Sequence, residues 1–332
     1  MSSWLLSVII IALLFDFTNG FHDAANAVGT SIATRALAPT SALVLAAVLN
    51  FLGALLSTHI AATVCTGIVL PQVVTLPMVL AGLFAAITWN LATWYFGIPS
   101  SSSHCLVGGI AGAVLVSHGA HGVQWMGITM KVLIPTVVSP ILGFVGGLVF
   151  SGLVALGIGQ AQPGKVTHRF RNLQLISASG MALSHGLNDA QKTMGIITLA
   201  LFAEHAIPAP DVPGWVKLAC AIVMGLGTFA GGKRIISTLG TKIFHLTAVD
   251  GFSSQTAGAA VLQGAAYLGL PVSTTHVVTA SIMGVGSAHK VKAVRWGVTR
   301  SILVAWVLTL PASGALGAGA ALLTGWASRF GW

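Results

Sequence analysis

The chain is short of charge, and of acidic residues above all: six Asp and Glu stand against 15 Lys and Arg in 332 residues, and charged residues make up 6% of the total. Soluble domains carry roughly 25% charged residues, so a water-facing surface over most of this length is excluded. No Asp, Glu, Lys or Arg occurs between Arg35 and Lys131. A gap of that length holds several membrane spans of about 20 residues each. Cysteine is scarce too. Cys65, Cys105 and Cys220 are odd in number and share no close spacing, which indicates neither a disulfide framework nor a thiolate metal site and leaves them as small core residues. A pI near 10.0 would suit a nucleic-acid binder, yet the basic residues form no long solvated tract, and no nucleic-acid partner is expected. They gather as Lys165, Arg169 and Arg171, then Lys233, Arg234 and Lys242, then Lys290, Lys292 and Arg295, the pattern of cytoplasmic loops in membrane proteins.

What fills the chain is apolar and small: 55% of residues are hydrophobic and 40 are glycine. Small residues let helices approach closely in lipid, where no hydrophobic drive pulls them together. The expected fold is an all-α polytopic membrane protein, with spans near residues 3–19, 40–58, 76–97, 131–158, 171–187, 215–231, 253–268 and 296–325. The run from Trp4 to Leu14 has no basic flank and leads into Asp16, so it reads as the first span rather than a cleaved signal. Shorter segments at 22–36, 60–70, 99–117, 188–203 and 271–288 read as broken or re-entrant helices. Irregular backbone at membrane depth survives only where protein or a water-filled cavity surrounds it, so such pieces line sites.

Two stretches nearly repeat each other: NGFHDAANAVG at 19–29 and HGLNDAQKTMG at 185–195, which places Asp23 and Asp189 in register at an offset of 166. A second pair, GIPSSSSH at 97–104 and GLPVSTTH at 269–276, follows in the same order at an offset of 172. An internal duplication with facing, inverted halves accounts for both, and in membrane proteins it points to a transporter with its site between the repeats. The expected division is a first repeat at 1–158, a short cytoplasmic linker at 159–172 and a second repeat at 173–332, with both termini outside. No separate soluble domain is indicated.

Asp16, Asp23 and Asp189 lie in or beside apolar sequence, where a charge costs about 2.5–3.5 kcal/mol on insertion scales. One reading is structural: a buried Asp paired with His22 or Lys192 locks helices together. The other is functional, and recurrence in both repeats favours it for Asp23 and Asp189, which with Asn26 and Asn188 supply hard oxygen ligands for sodium or proton acceptors. The hydroxyl runs Ser100–Ser103 and Ser273–Thr275 follow a proline and precede Gly- and Ala-rich apolar sequence. Capping alone would explain one Ser or Thr. A helix N-terminus with several hydroxyls also suits an oxyanion, and two such termini could grip a tetrahedral anion from opposite sides. His22, His104 and His276 recur beside these motifs as candidates for gating or proton relay. A membrane haem or quinone enzyme would also use histidines, but no redox-cofactor motif accompanies them.

With these motifs the chain resembles the PiT family of inorganic phosphate transporters, of the bacterial low-affinity type, over nearly its whole length. The family's duplicated Gly-x-Asn-Asp-x-x-Asn motif is matched at Gly20–Asn26 and Gly186–Lys192, and its duplicated Pro-Ser/Thr loops at Pro99–His104 and Pro271–His276. The resemblance implies a symporter, not an enzyme, in the cell (inner) membrane. It implies a helical protein of inverted repeats, often a homodimer, that carries inorganic phosphate alone with cations or as a neutral metal–phosphate complex. Sulfate carriers belong to the same family. No resident cofactor is implied; the co-transported cation is a proton, sodium or a divalent metal. Phosphate is expected at Ser101, Ser102, Ser103, Ser273, Thr274 and Thr275 with Asn26 and Asn188, and the coupling cation or metal at Asp23 and Asp189. Two departures stand out: His22 replaces the first Asn of the first motif, and Lys192 replaces the last Asn of the second. The ammonium of Lys192 is positioned to substitute for a cation or to meet phosphate, which favours proton or metal–phosphate coupling over two sodium ions; the alternative is a lysine that snorkels to an interface.

Overall fold

A computed structural model describes residues 2–329, and the same order of elements appears twice along them. A long first helix, α1 (Ser3–Ala33), is followed by a helix broken by a 69° bend into α2 (Pro39–Ala54) and α3 (His59–Gly67). The crossing helix α4 (Leu76–Phe96) and the short helix α5 (Ser102–His118) come next. Then α6 (Trp125–Ile128) runs through a π turn at Thr129–Leu133 into α7 (Ile134–Ile158). The second half repeats this as α8 (Pro163–Ala203), then α9 (Gly214–Ala230) bent by 65° into α10 (Lys233–Ser237) and a π turn at Thr238–Lys242. It continues as α11 (Ala248–Tyr267), α12 (Thr274–His289) and α13 (Trp296–Arg329).

The halves are inverted. Asp16 of α1 accepts a hydrogen bond from Thr193 of α8 at 2.8 Å, whereas Asp23, two turns further on, lies beside His185 and Asp189. Advancing along one helix retreats along the other, so equivalent helices run antiparallel. The halves are also interlaced: α1 packs on α9, α2 on α8, α13 on α4 and α5, and α7 on α11 and α12. The boundary near residue 158 divides the sequence but not the space.

Among the described residues, four helices are long and apolar enough to cross a membrane, and two bent pairs pass the same test together. The exposed faces of α7 and α13, with Val137, Ile141, Val145, Val307 and Leu308, meet lipid. The most polar long helix is instead enclosed. From Met181 to Leu201, α8 buries Ser184, His185, Asn188, Asp189, Gln191 and Lys192 among its neighbours. Its 41 residues span about 60 Å, twice the hydrocarbon thickness, so the turns carrying Lys165, Arg169 and Arg171 stand exposed at one end. Residues 163–172 are thus helix, and only 159–162 connect the repeats.

The motif segments at 22–36 and 188–203 are not separate half-helices, as the sequence suggests. Up to Ala33 and Ala203 they are unbroken continuations of α1 and α8. Neither holds a proline, and their polar side chains find tertiary partners, so nothing interrupts the backbone ladder. The segments at 60–70, 99–117 and 271–288 do form short helices, as α3, α5 and α12. Gly97 and Gly269, at φ +66° and +65°, end α4 and α11 in matching left-handed turns that lead into the two proline loops. Such φ values favour glycine over any residue with a Cβ.

The basic clusters come together at one end. Thr34, beside Arg35, bonds Gln174 of α8 at 2.7 Å; His289, beside Lys290, meets Asp250 at 2.7 Å; and the Arg295 amide bonds the Ile243 carbonyl, beside Lys242, at 2.9 Å. The start of α11 shares this end, because Gln255 pairs with Ser177 and the Leu262 carbonyl with Asn188, so α8 and α11 run parallel.

Close helix contact fixes where α5 sits. A Cβ on Gly109 would stand 2.5 Å from the Gly82 carbonyl oxygen, and one on Gly108 at 2.5 Å from that of Leu310. Gly109→Ala is therefore expected to destabilise the protein by about 1–3 kcal/mol despite the better helix propensity of alanine. Gly152→Ala, where nothing lies within 4 Å, should be neutral or better. Thermal unfolding of the purified protein in detergent checks this; equal midpoints for the two variants would refute the close approach.

Candidate functional site

The proline loops end in hydroxyl runs that open α5 and α12, and the two helix starts face each other where α1 and α8 cross. Ser101 and Ser273 are N-caps: their hydroxyls accept the His104 and His276 amides at 3.2 and 3.3 Å. The capping reading holds for these two. The next hydroxyls do something else. Ser102 donates to Asp23 at 3.0 Å, Thr275 donates to the other Asp23 oxygen at 3.3 Å, and Thr274 donates to Asp189 at 3.0 Å. Asn26 spans the pair, with its amide nitrogen 3.3 Å from Thr274 and 2.9 Å from Thr275. Four elements that are distant in sequence thus converge on two carboxylates.

Lys192 and Asn26 occupy equivalent positions on α8 and α1, but the long ammonium reaches further. It pairs with Asp189 and donates to the Val272 carbonyl at 3.1 Å, an atom that Ser103 also approaches at 3.4 Å. His185 Nε2 lies 3.1 Å from the second Asp189 oxygen. On the other side His22 Nδ1 meets Asp23 at 2.6 Å, and its Nε2 faces Thr93 at 3.2 Å and Ser100 at 3.4 Å. The pairs Asp23 with His22 and Asp189 with Lys192 both form, but each lies within one helix, α1 or α8, so neither locks two helices together as the structural reading expected.

Asn188 is not brought to the hydroxyls. Its amide donates to the Ser184 and Leu262 carbonyls at 2.7 and 3.1 Å and ties α8 to α11. Asp16 is buried two turns away on Thr193. His104 and His276 face each other with ring centroids 4.9 Å apart, His104 bonding Thr136 at 2.7 Å and His276 stacking on Trp306 at 3.9 Å. Sequence reading passes over the Val272 carbonyl and over the Thr93, Thr136 and Trp306 supports, because a backbone acceptor and unduplicated side chains leave no trace in the motif. His185 is visible in the sequence only as a member of the repeated segment.

Chemically, the site combines hydroxyl donors, an ammonium and two helix N-termini, which suit an oxyanion, with carboxylate and carbonyl oxygens, which suit a hard cation. Asp23, His185 and Asp189 each offer a ligand atom within 4.8 Å of the others, a geometry a divalent ion can use. Exposure of the site residues is 3% or less, so the cluster is sealed from solvent.

The phosphate transporter family matches residues 19–317. The chain is 47% identical over 314 residues to a Bacillus subtilis protein named "Probable low-affinity inorganic phosphate transporter", covering 94% of each. It is 46% identical over 316 residues to a Rhizobium meliloti protein of the same name, covering 95% of this chain and 94% of that one. The chain belongs to the phosphate transporter family. A solved structure titled "The sodium-dependent phosphate transporter" superposes with a TM-score of 0.90 at 26% identity, covering 97% of this chain and 99% of that one. As a member of this family the chain is a phosphate transporter, multi-pass in the cell (inner) membrane.

In this transporter the Lys192–Asp189 pair is an internal ion pair without solvent. Removing one charge strands the other, and breaking such pairs costs about 3–5 kcal/mol. Asp189→Asn is expected to lose that much stability, and Asp189→Asn combined with Lys192→Met to regain most of it. Thermal melts of the purified variants measure both, and a single variant as stable as wild type would show that the ammonium is compensated elsewhere.

Proposed function

We propose that the protein imports inorganic phosphate by proton-coupled symport, with Ser102, Ser103, Thr274, Thr275 and Asn26 donating to the anion and Asp23 and Asp189 handling the coupling cation. Ser101 and Ser273 contribute by capping the helix starts that face the anion. Moving a divalent phosphate inward against the membrane potential costs about 4.6 kcal/mol per 100 mV. That cost is offset when cations travel with the anion.

The observation that carries the choice of cation is the seat of Lys192. Its ammonium holds the Asp189 carboxylate and the Val272 carbonyl, oxygens of the kind that would otherwise ligate sodium. A fixed positive charge there repels a monovalent metal ion. On the first-repeat side His22 bridges Asp23 to Thr93 and Ser100 and offers a proton-holding position. A second reading, carriage of a metal–phosphate complex, is favoured by the Asp23, His185 and Asp189 grouping. The end that gathers the basic clusters faces the cytoplasm by the positive-inside rule, which leaves both termini outside. Movement of the α4–α5–α13 and α7–α11–α12 groups against α1, α2, α8 and α9 would open the site to each side in turn.

Uptake of labelled phosphate into proteoliposomes, with pH, sodium and magnesium varied independently, tests this. Uptake should persist without sodium and rise with an inward proton gradient; magnesium stimulation would select the metal–phosphate reading, and strict sodium dependence would overturn proton coupling. Asp23→Asn should abolish coupled uptake in a folded protein. Lys192→Asn should gain sodium stimulation.

A further inference from the structure

We propose that the face opposite the basic clusters carries a second, shallow anion site, a capture vestibule for phosphate centred on Lys217 and His59. A cavity of about 500 Å³ opens there. Ser57, Thr58 and His59 at the bend between α2 and α3, Lys217 in the first turn of α9, and Gln263 and Tyr267 at the end of α11 line it. No carboxylate is among its lining residues, whereas the central buried site holds two. Among the described residues no carboxylate lies within ion-pair distance of Lys217, so its ammonium is available to a ligand. Hydroxyls, an imidazole and a free ammonium around a space of this size suit an oxyanion.

The cavity borders the helix that carries the central site. Its floor includes Leu187, two residues before Asp189 on α8. Gln191, beside Lys192, accepts the Ile60 and Ala61 amides at 2.9 and 3.3 Å, so the α3 start that forms one wall is tied to the site helix. A Cβ on Gly269, in the loop that leads to the Ser273–Thr275 hydroxyls, would touch the His59 carbonyl at 3.5 Å.

The equivalent residues at the basic end pack against one another. The chain has only two tyrosines, Tyr95 and Tyr267, and they stand at matching positions, 172 residues apart. At the basic end the Arg234 guanidinium donates to the Tyr95 carbonyl and lies over the Tyr95 and Trp94 rings at 4.7 and 5.4 Å, while Phe21, the counterpart of Leu187, packs on Trp94 at 5.4 Å. The two ends are lined differently, by a cation over aromatic rings at one and by a cavity beside Lys217 at the other. This inference rests on the orientation proposed above, which makes the end with the cavity the external one.

Phosphate uptake by intact cells that express the protein tests it. Lys217→Gln should raise the KM for phosphate about tenfold at low ionic strength with Vmax retained, the scale expected when a focusing charge is removed. Lys217→Arg should stay near wild type and controls for folding. In a background without Cys65, Cys105 and Cys220, Lys217→Cys should regain low KM on external treatment with aminoethyl methanethiosulfonate, which restores an ammonium, and worsen with the sulfonatoethyl reagent. An unchanged KM in Lys217→Gln, or equal effects of the two reagents, would overturn the vestibule. Failure of the proton-coupling reading would appear separately, as altered cation dependence in wild type with the Lys217 effect intact.

Discussion

Two carboxylates enclosed at the centre of a membrane protein set the terms for everything around them. Neither Asp23 nor Asp189 can lean on water, since both are 1% exposed or less. Each must therefore be met by donors from protein, and the nearest stretches of chain cannot supply enough of them. Ser102, Thr274 and Thr275 come from the two proline loops, and Lys192, His22 and His185 from the crossing helices. The fold is the arrangement that delivers these donors to one place from four directions.

That requirement explains the interlacing of the repeats. For α5 and α12 to aim their N-termini at the same point, each must be held at its back by helices that span the bilayer. Their backs are packed by α13 and α7, the last helices of the opposite halves, through contacts close enough that glycines at 108, 112 and 143 leave no room for a Cβ. Exchange of the outer helices makes the halves inseparable.

The duplication is imperfect where chemistry is concentrated. Asn26 and Lys192, or His22 and Asn188, are equivalent in position yet do different work: Asn26 bridges two threonines, Lys192 neutralises an aspartate, His22 pairs with Asp23, and Asn188 ties two helices. Symmetric backbone with asymmetric side chains gives the two aspartates unlike surroundings. The ends differ too: Arg234 lies over aromatic rings at one, and a cavity lies beside Lys217 at the other.

The sequence by itself determined the class, the duplication and the two motif pairs, because scarcity of charge forces burial in lipid and a repeated carboxylate in apolar sequence is too costly to persist without use. It also marked Asp23, Asp189, Asn26, Ser102, Thr274, Thr275 and Lys192, since each is a polar residue out of place in its surroundings. Tertiary structure alone decided that α1 and α8 run unbroken through their motifs, that Ser101 and Ser273 act as caps, and that Asn188 turns away. Backbone continuity and side-chain direction depend on which partners arrive from distant helices, and periodicity carries no record of that. The Val272 carbonyl and the Lys217 mouth belong to the same class: one is a main-chain atom, the other a space between four helices, and neither is written in any single stretch of residues.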